Sequence, residues 1–225
     1  MRIARIAALT AALALGAAGV ASASELDVAV SPSTAPLGAL HTVTGQMRDD
    51  AGAALARRRI SLQVRPFPFS GRWRTVDHAT TDAKGRYAID DIELDRNADV
   101  RAIAFDGTTS GIARAFTYPA HRLGYHVVGK RRIRLTQTYR TPRDVRLSKR
   151  TLFYVGSGSA TSAPVRARGK TTRVRAGRYR SVVTVMLPRA FRGRFQYASC
   201  FVYSPGSGMG DPAQGCPKRY SFENP

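Results

Sequence analysis

The chain has 225 residues, 43% of them apolar and 8% aromatic, with 36 Lys plus Arg against 15 Asp plus Glu and a formal net charge of +21. Its length and apolar share are enough for one or two ordinary cores. Sparse aromatics and abundant Gly, Pro, Thr and Val argue against a helical protein and for strands joined by turns.

Residues 1–23 read as a signal peptide: Arg2 and Arg5 form a basic start, Ile6 to Val20 an apolar run, and Ala21, Ser22 and Ala23 an A-x-A cleavage site. The apolar run is too short and alanine-rich for a membrane span. The mature protein is therefore expected to be exported, as a secreted or cell-envelope protein without a transmembrane anchor.

Residues 24–118 contain seven segments suited to strands, near Leu26–Ser31, Leu40–Arg48, Arg59–Arg65, Trp73–Thr80, Tyr87–Ile92, Val100–Phe105 and Ser110–Thr117. Turn residues separate them, among them Gly52, Pro66, Pro68, Gly85 and Gly107. Within segments the residues alternate, Ile60, Leu62 and Val64 against Ser61, Gln63 and Arg65, which predicts a small β-sandwich with Trp73 in its core. The run from Thr44 through Gly45, Met47, Asp49 and Gly52 to Leu62, followed by Thr81, Asp82, Gly85 and Tyr87, resembles bacterial secreted immunoglobulin-like and carboxypeptidase-regulatory-like (transthyretin-like) modules. That resemblance covers the first half of the mature chain. It implies a β-sandwich serving as a spacer, stabilising, adhesive or carbohydrate-binding part, and it brings no catalytic residues.

Pro119–Gly124 is the expected junction to a second unit, residues 119–225. Its predicted strands are Tyr125–Val128, Arg131–Tyr139, Thr151–Val155, Pro164–Ala167, Thr171–Arg175, Tyr179–Leu187, Phe195–Tyr203 and Arg219–Phe222. Loops are expected at 156–159 and 204–212. The fold class predicted for the whole is all-β: two consecutive small sandwiches, immunoglobulin-like first, the second a sandwich or partly open barrel. Cys200 and Cys216 suit one disulfide, closing a loop of about 15 residues worth roughly 3 kcal/mol.

Charge divides the two units. Residues 24–118 hold 12 Lys plus Arg and 12 Asp plus Glu; residues 119–225 hold 22 against 3, the acids being Asp144, Asp211 and Glu223. The basic residues fall at a spacing of two: Arg132 and Arg134, Arg166 and Arg168, Arg173 and Arg175, Arg178 and Arg180, Arg192 and Arg194. In a strand, residues i and i+2 share a face about 6.6 Å apart. Each R-x-R thus sets two guanidinium groups side by side, with Ile133, Leu135, Val174 and Tyr179 on the opposite face. A genome rich in arginine codons explains Arg over Lys, but not why acids vanish from one unit alone. These ten arginines are the candidate anion-binding residues, their planar guanidinium groups suiting phosphate, sulfate or carboxylate. Tyr139, Tyr154, Tyr179 and Phe195 lie among them, with core packing the expected role of Tyr179.

No cofactor, metal or catalytic site is expected. The acids Asp90, Asp91, Glu93, Asp95 and Asp99 lack the spacing of a calcium loop and read as a solvated loop pairing with Arg96 and Arg101. His41, His78, His121 and His126 are scattered, and Ser207 sits in the wrong order for a nucleophile elbow. The functional expectation is a non-enzymatic exported protein whose basic half binds an anionic polymer: a phosphate-bearing glycan, nucleic acid, or acidic lipid headgroups. The alternatives are a carbohydrate-binding or adhesive module with incidental charge, a purely structural secreted protein and, last, an extracellular hydrolase.

Overall fold

A computed structural model describes residues 24–147, 150–157, 165–187, 195–201 and 205–210, all strand, turn and loop apart from one 3₁₀ turn, Pro205–Ser207. Residues 1–23, Cys216 with its expected disulfide to Cys200, the strand at 219–222, and Arg192 and Arg194 lie outside the described residues.

The first two sheets form an immunoglobulin-like sandwich. In one, β1 (Glu25–Leu26), β2 (Ala29–Ser31) and β7 (Arg86–Glu93) all pair with β4 (Leu40–Arg48). The other runs β3 (Thr34–Pro36), β9 (Ala113–Tyr118), β8 (Ala98–Ala104), β5 (Arg59–Pro66), β6 (Arg74–Thr80). The leading strand is split: β1 and β2 lie on β4, then β3 crosses over to pair in parallel with β9. Seven segments were expected; β3 is the additional strand, and the first expected segment divides into β1 and β2. β3 sits between Pro32 and Pro36, which an edge strand tolerates because proline can donate to no neighbour.

Alternation places Val43, Met47, Ile60, Leu62, Val64, Ile89, Val100 and Ala102 in one core between the sheets. Gly45 and Gly85 in the shared motif have steric reasons. A Cβ at Gly45 would strike the Asp27 carbonyl and the Tyr87 ring, and Gly85 turns with φ +71° while its N–H donates to the Asp82 carbonyl at 2.9 Å.

Trp73 is not in that core. It is half-exposed, with Arg65 Cζ 4.5 Å and Arg101 Cζ 4.3 Å from its ring centroid. The acidic stretch departs from the expected solvated loop in part: exposed Asp95 pairs with Arg96 as expected (3.3 Å), but Asp90, Asp91 and Glu93 lie on β7. Asp99 is buried between Arg65 (2.9 Å) and Arg114 (2.8 Å), and Arg101 donates to Gln63 instead.

The third sheet has six antiparallel strands in the order β10 (Ala120–Gly129), β11 (Arg132–Arg140), β14 (Arg178–Met186), β13 (Val165–Arg175), β12 (Arg150–Ser157), β15 (Phe195–Phe201). It curls until Tyr125 on one edge strand meets Tyr197 on the other, ring centroids 5.2 Å apart, as a partly open barrel. Ile133, Leu135, Phe153, Val155, Val185 and Tyr197 fill the inside. The two segments expected at 164–167 and 171–175 are one strand, because Gly169 is no break: a Cβ there would collide with the Phe153 ring and Ser181 Oγ. The expected junction at 119–124 is likewise strand, since only Pro119 separates β9 from β10.

The 204–212 loop, in its described part, is docked rather than free. The Asn97 backbone N–H donates to the Gly208 carbonyl (2.8 Å), and its side chain donates to the Gly210 carbonyl (2.7 Å) while accepting from the Thr117 N–H (2.9 Å). Asn97, Thr117, Gly210 and Met209 are all buried. Asn97→Ala leaves a buried carbonyl and a buried N–H unpaired and is expected to cost about 2–4 kcal/mol, read by urea unfolding followed through the single tryptophan.

A second tie is Arg96, which donates to both Asp144 oxygens at 3.0 and 3.2 Å. Those hydrogen bonds hold the Asp144 carboxyl below its ordinary value of 3.8. A carboxyl depressed in the folded state stabilises above its ordinary value and loses that contribution as pH falls through the lowered one. The stability difference between wild type and Asp144→Asn, at most about 1 kcal/mol for so exposed a pair, is therefore expected to be full at neutral pH and to close below pH 3.8 in thermal melts.

Candidate anion-binding groove

β11 and β14 alternate strictly: Ile133, Leu135, Gln137 and Tyr139 turn inward, and Arg132, Arg134, Thr136, Thr138 and Arg140 turn outward. In β14, Tyr179, Ser181 and Val185 are buried while Arg178, Arg180, Val182, Thr184 and Met186 are exposed. Antiparallel register then decides which arginines meet. Arg140 lies directly opposite Arg178, and Arg178 opposite Arg175, so three arginines stand in a row across β11, β14 and β13. In the next row Arg122 faces Thr138, which faces Arg180, which faces Thr172. These five arginines, with His121, Tyr139, Tyr179 and Val174, line a groove of about 690 Å³ at the end of the sheet beside the sandwich.

Directly opposed strand residues have Cβ atoms about 4.5–5.5 Å apart, and like charges there destabilise. Two unit charges about 5–7 Å apart repel by roughly 0.6–0.8 kcal/mol in water. The strands that carry them add no acid: residues 119–143 and 165–187 contain neither Asp nor Glu. Among the described residues the ion pairs belong to Arg65, Arg86, Arg96 and Arg114, none of which lines the groove. Arg140 makes one long contact outside it, donating to the Leu37 carbonyl at 3.4 Å, where Gly38 leaves room for the guanidinium.

The expected arginine ladder is thus brought together in part. Arg175, Arg178 and Arg180 share the groove. Arg132 and Arg134 face outward at the opposite end of β11, opposite Met186 and Thr184. Arg166 and Arg168 lie on β13 opposite Tyr154 and Leu152, with Arg166 Cζ 5.9 Å from the Tyr154 ring centroid.

Arg173 corrects the two-residue rule. A β-bulge between Arg173 and Arg175 shifts the register, so Arg173 pairs with inward-facing Tyr179 and Arg175 with outward-facing Arg178. Arg173 therefore points to the other face, its Nη2 3.4 Å from the Arg143 carbonyl, and Val174, expected to be buried, is 66% exposed. Tyr179 is in the core as expected, its hydroxyl donating to the buried Val145 carbonyl at 2.7 Å. Tyr139 is also internal, 2.8 Å from Thr151 Oγ1.

Two groove residues escaped the sequence reading. Arg140 continues the parity of Arg132 and Arg134, so extending the alternation by six residues would have found it. Arg122 lay inside the presumed junction. Two other histidines belong to the sandwich: buried His41 has Nδ1 2.7 Å from the Pro32 carbonyl, and His78 meets Ser61 at 3.1 Å; His126 lies on β10 opposite Arg134. Ser207 Oγ closes a local turn with the Met209 backbone.

No family model and no curated protein matches this chain. Among solved structures, it is similar over 90% of its length to native E. coli alpha-2-macroglobulin (TM-score 0.36, 13% identity), over 83% to the E. coli adhesin FdeC (TM-score 0.41, 16% identity) and over 89% to the Yersinia pseudotuberculosis adhesin InvE (TM-score 0.35, 12% identity). The chain spans 14%, 62% and 57% of those chains respectively. At these scores the likeness says nothing about function.

Repulsion within the row has a measurable consequence. Arg178 has an arginine on each side, so Arg178→Gln is expected to stabilise the unliganded protein by about 1 kcal/mol at low ionic strength, an advantage that salt erases. Thermal melts of both proteins across a salt series check this; an equal response to salt would place the guanidinium groups too far apart to interact.

Proposed function

We propose that this is an exported, non-enzymatic binding protein whose six-stranded sheet holds a phosphate-bearing anionic polymer in the arginine groove. The sandwich is its spacer and stabilising module, a role in keeping with the resemblance of residues 44–62 and 80–89 to carboxypeptidase-regulatory-like modules. The dividing point between the two units is Pro119.

One observation supports the reading above others: five arginines from four adjacent strands line one groove in a stretch of sheet without a carboxylate. Left unliganded, that cluster repels itself. A polyanion turns the repulsion into attraction and releases its own counterions. Arginine forks match phosphate oxygens two at a time, so the contacts would be planar and directional rather than those of a diffuse cloud.

The test is retention of the full mature chain on polyphosphate, on a glycerol-phosphate polymer and on single-stranded DNA, with neutral dextran as control, across salt concentrations. Affinity is expected to fall steeply with salt, and replacing Arg140 and Arg178 together by Gln is expected to flatten the slope on DNA by roughly 1.5 log units per log unit of salt. Arg173→Gln, on the other face, is expected to leave the slope unchanged. Retention indifferent to the groove substitutions would sink the proposal, and salt-insensitive retention on the neutral glycan would favour a carbohydrate-binding module instead.

A further inference from the structure

The opposite end of the same strands carries a surface of different chemistry. Val127 is 55% exposed, Val128 38% and Met186 57%. Val127 has the inward parity of its partner Ile133, yet it lies near the end of an edge strand and stays uncovered. Val128 falls in the register shift between Val127 and Gly129, so the ladder gives it no opposite residue to pack on. Met186 stands opposite Arg132 on the outward face.

Cations crowd the same rim. The turn from β10 to β11 is Lys130 and Arg131, followed at once by Arg132, with Arg134 and His126 opposite each other two residues further in. Neither 120–140 nor 178–187 contains an acid. The turn is also fixed: the Arg131 guanidinium donates twice to the Leu187 carbonyl (3.0 and 2.6 Å), and the Leu187 N–H donates to the Arg131 carbonyl at 2.7 Å.

A soluble polyanion would satisfy the cations and leave three apolar side chains in water. A bilayer of anionic lipid satisfies both, because headgroup phosphates lie just above hydrocarbon at the interface. We infer that the β10–β11 tip, with Met186 beside it, inserts shallowly into an anionic lipid surface. The eight strand positions between Arg140 and Arg132 amount to roughly 26 Å, so tip and groove can be occupied together, and the inference does not depend on the groove's ligand.

The experiment is co-sedimentation of the full mature chain with vesicles of phosphatidylglycerol and phosphatidylcholine in equal parts, and with vesicles of phosphatidylcholine alone. Wild type is expected to partition onto the anionic vesicles only. Val128→Asp with Met186→Asp should lower partitioning about a hundredfold or more, and Val128→Ser with Met186→Ser, which adds no charge, about tenfold. Both pairs are exposed, and unchanged thermal melts confirm that the fold is retained. The Arg140→Gln and Arg178→Gln variant should sediment with vesicles close to wild type, and soluble glycerol phosphate should not release the protein. The inference is overturned by absence of wild-type binding to the anionic vesicles, by serine and aspartate variants that bind like wild type, or by binding that disappears with the groove substitutions or with glycerol phosphate. Polymer retention of the same variants reports separately on the groove.

Discussion

A sheet that curls until its edge strands touch through Tyr125 and Tyr197 has one dry face, and strand alternation leaves every second residue no choice of side. Inward positions of β11, β12 and β14 hold Ile133, Leu135, Phe153, Val155 and Val185, and Gly169 gives up its side chain so that the Phe153 ring can fit. Outward positions therefore inherit whatever the sequence sets between the apolar residues, and in β11 and β14 that is repeatedly arginine. A slip of one residue in β11 would drive Arg132, Arg134 and Arg140 into the barrel without partners, at a cost no core of this size could absorb. The charges thus reinforce the register that displays them.

The sandwich shows what arginine does in this protein when acids are at hand. Arg65 and Arg114 hold the buried Asp99 between them, Arg65 and Arg101 cover the Trp73 ring, Arg101 also donates to Gln63, and Arg114 lies 4.3 Å from the Phe69 centroid. Each of these guanidinium groups finds a partner within the sandwich. On the six-stranded sheet the same residue type stands in rows on strands without an acid, and among the described residues none of these arginines makes an ion pair. A genomic taste for arginine would supply both populations alike; it would not strip the acids from the one whose arginines converge on a groove. The contrast lies in the partners rather than in the arginine count.

Much of this was legible in the sequence wherever a strand was regular. Leu40–Arg48 matches β4 residue for residue, and the alternation of Ile60, Leu62 and Val64 names their core positions, because each rests on local period-two geometry. The misreadings share a cause, which is that local punctuation can be overruled by what lies across the ladder. The break expected between Ala167 and Thr171 is absent, because Gly169 there is a space for Phe153. Pro119 and Gly124 looked like a linker, yet β10 pairs along nearly the whole of β11. Trp73 looked like a core residue, but its partners are Arg65 and Arg101 on neighbouring strands. Arg173 and Val174 changed faces because of a bulge, which no spacing rule reveals.

The two ends of β10 and β11 also differ in what restrains them. At the groove end, Pro119 alone links the strand to the sandwich, Arg140 reaches the Leu37 carbonyl, and the Asn97 clamp and the Arg96–Asp144 pair bind later parts of the chain to the same sandwich. Of these contacts only that of Arg140 involves a groove residue, and at 3.4 Å it is the longest and weakest among them. A ligand can therefore recruit Arg140 at little cost while the buried Asn97 bonds keep the sheet tied to the sandwich. Among the described residues the tip end has no such tether: its turn is fixed by Arg131 on Leu187, within the sheet itself. Placing the self-repelling arginines where the sandwich braces the sheet, and the apolar rim where its side chains stay exposed, gives one curled sheet two surfaces with different demands on their surroundings.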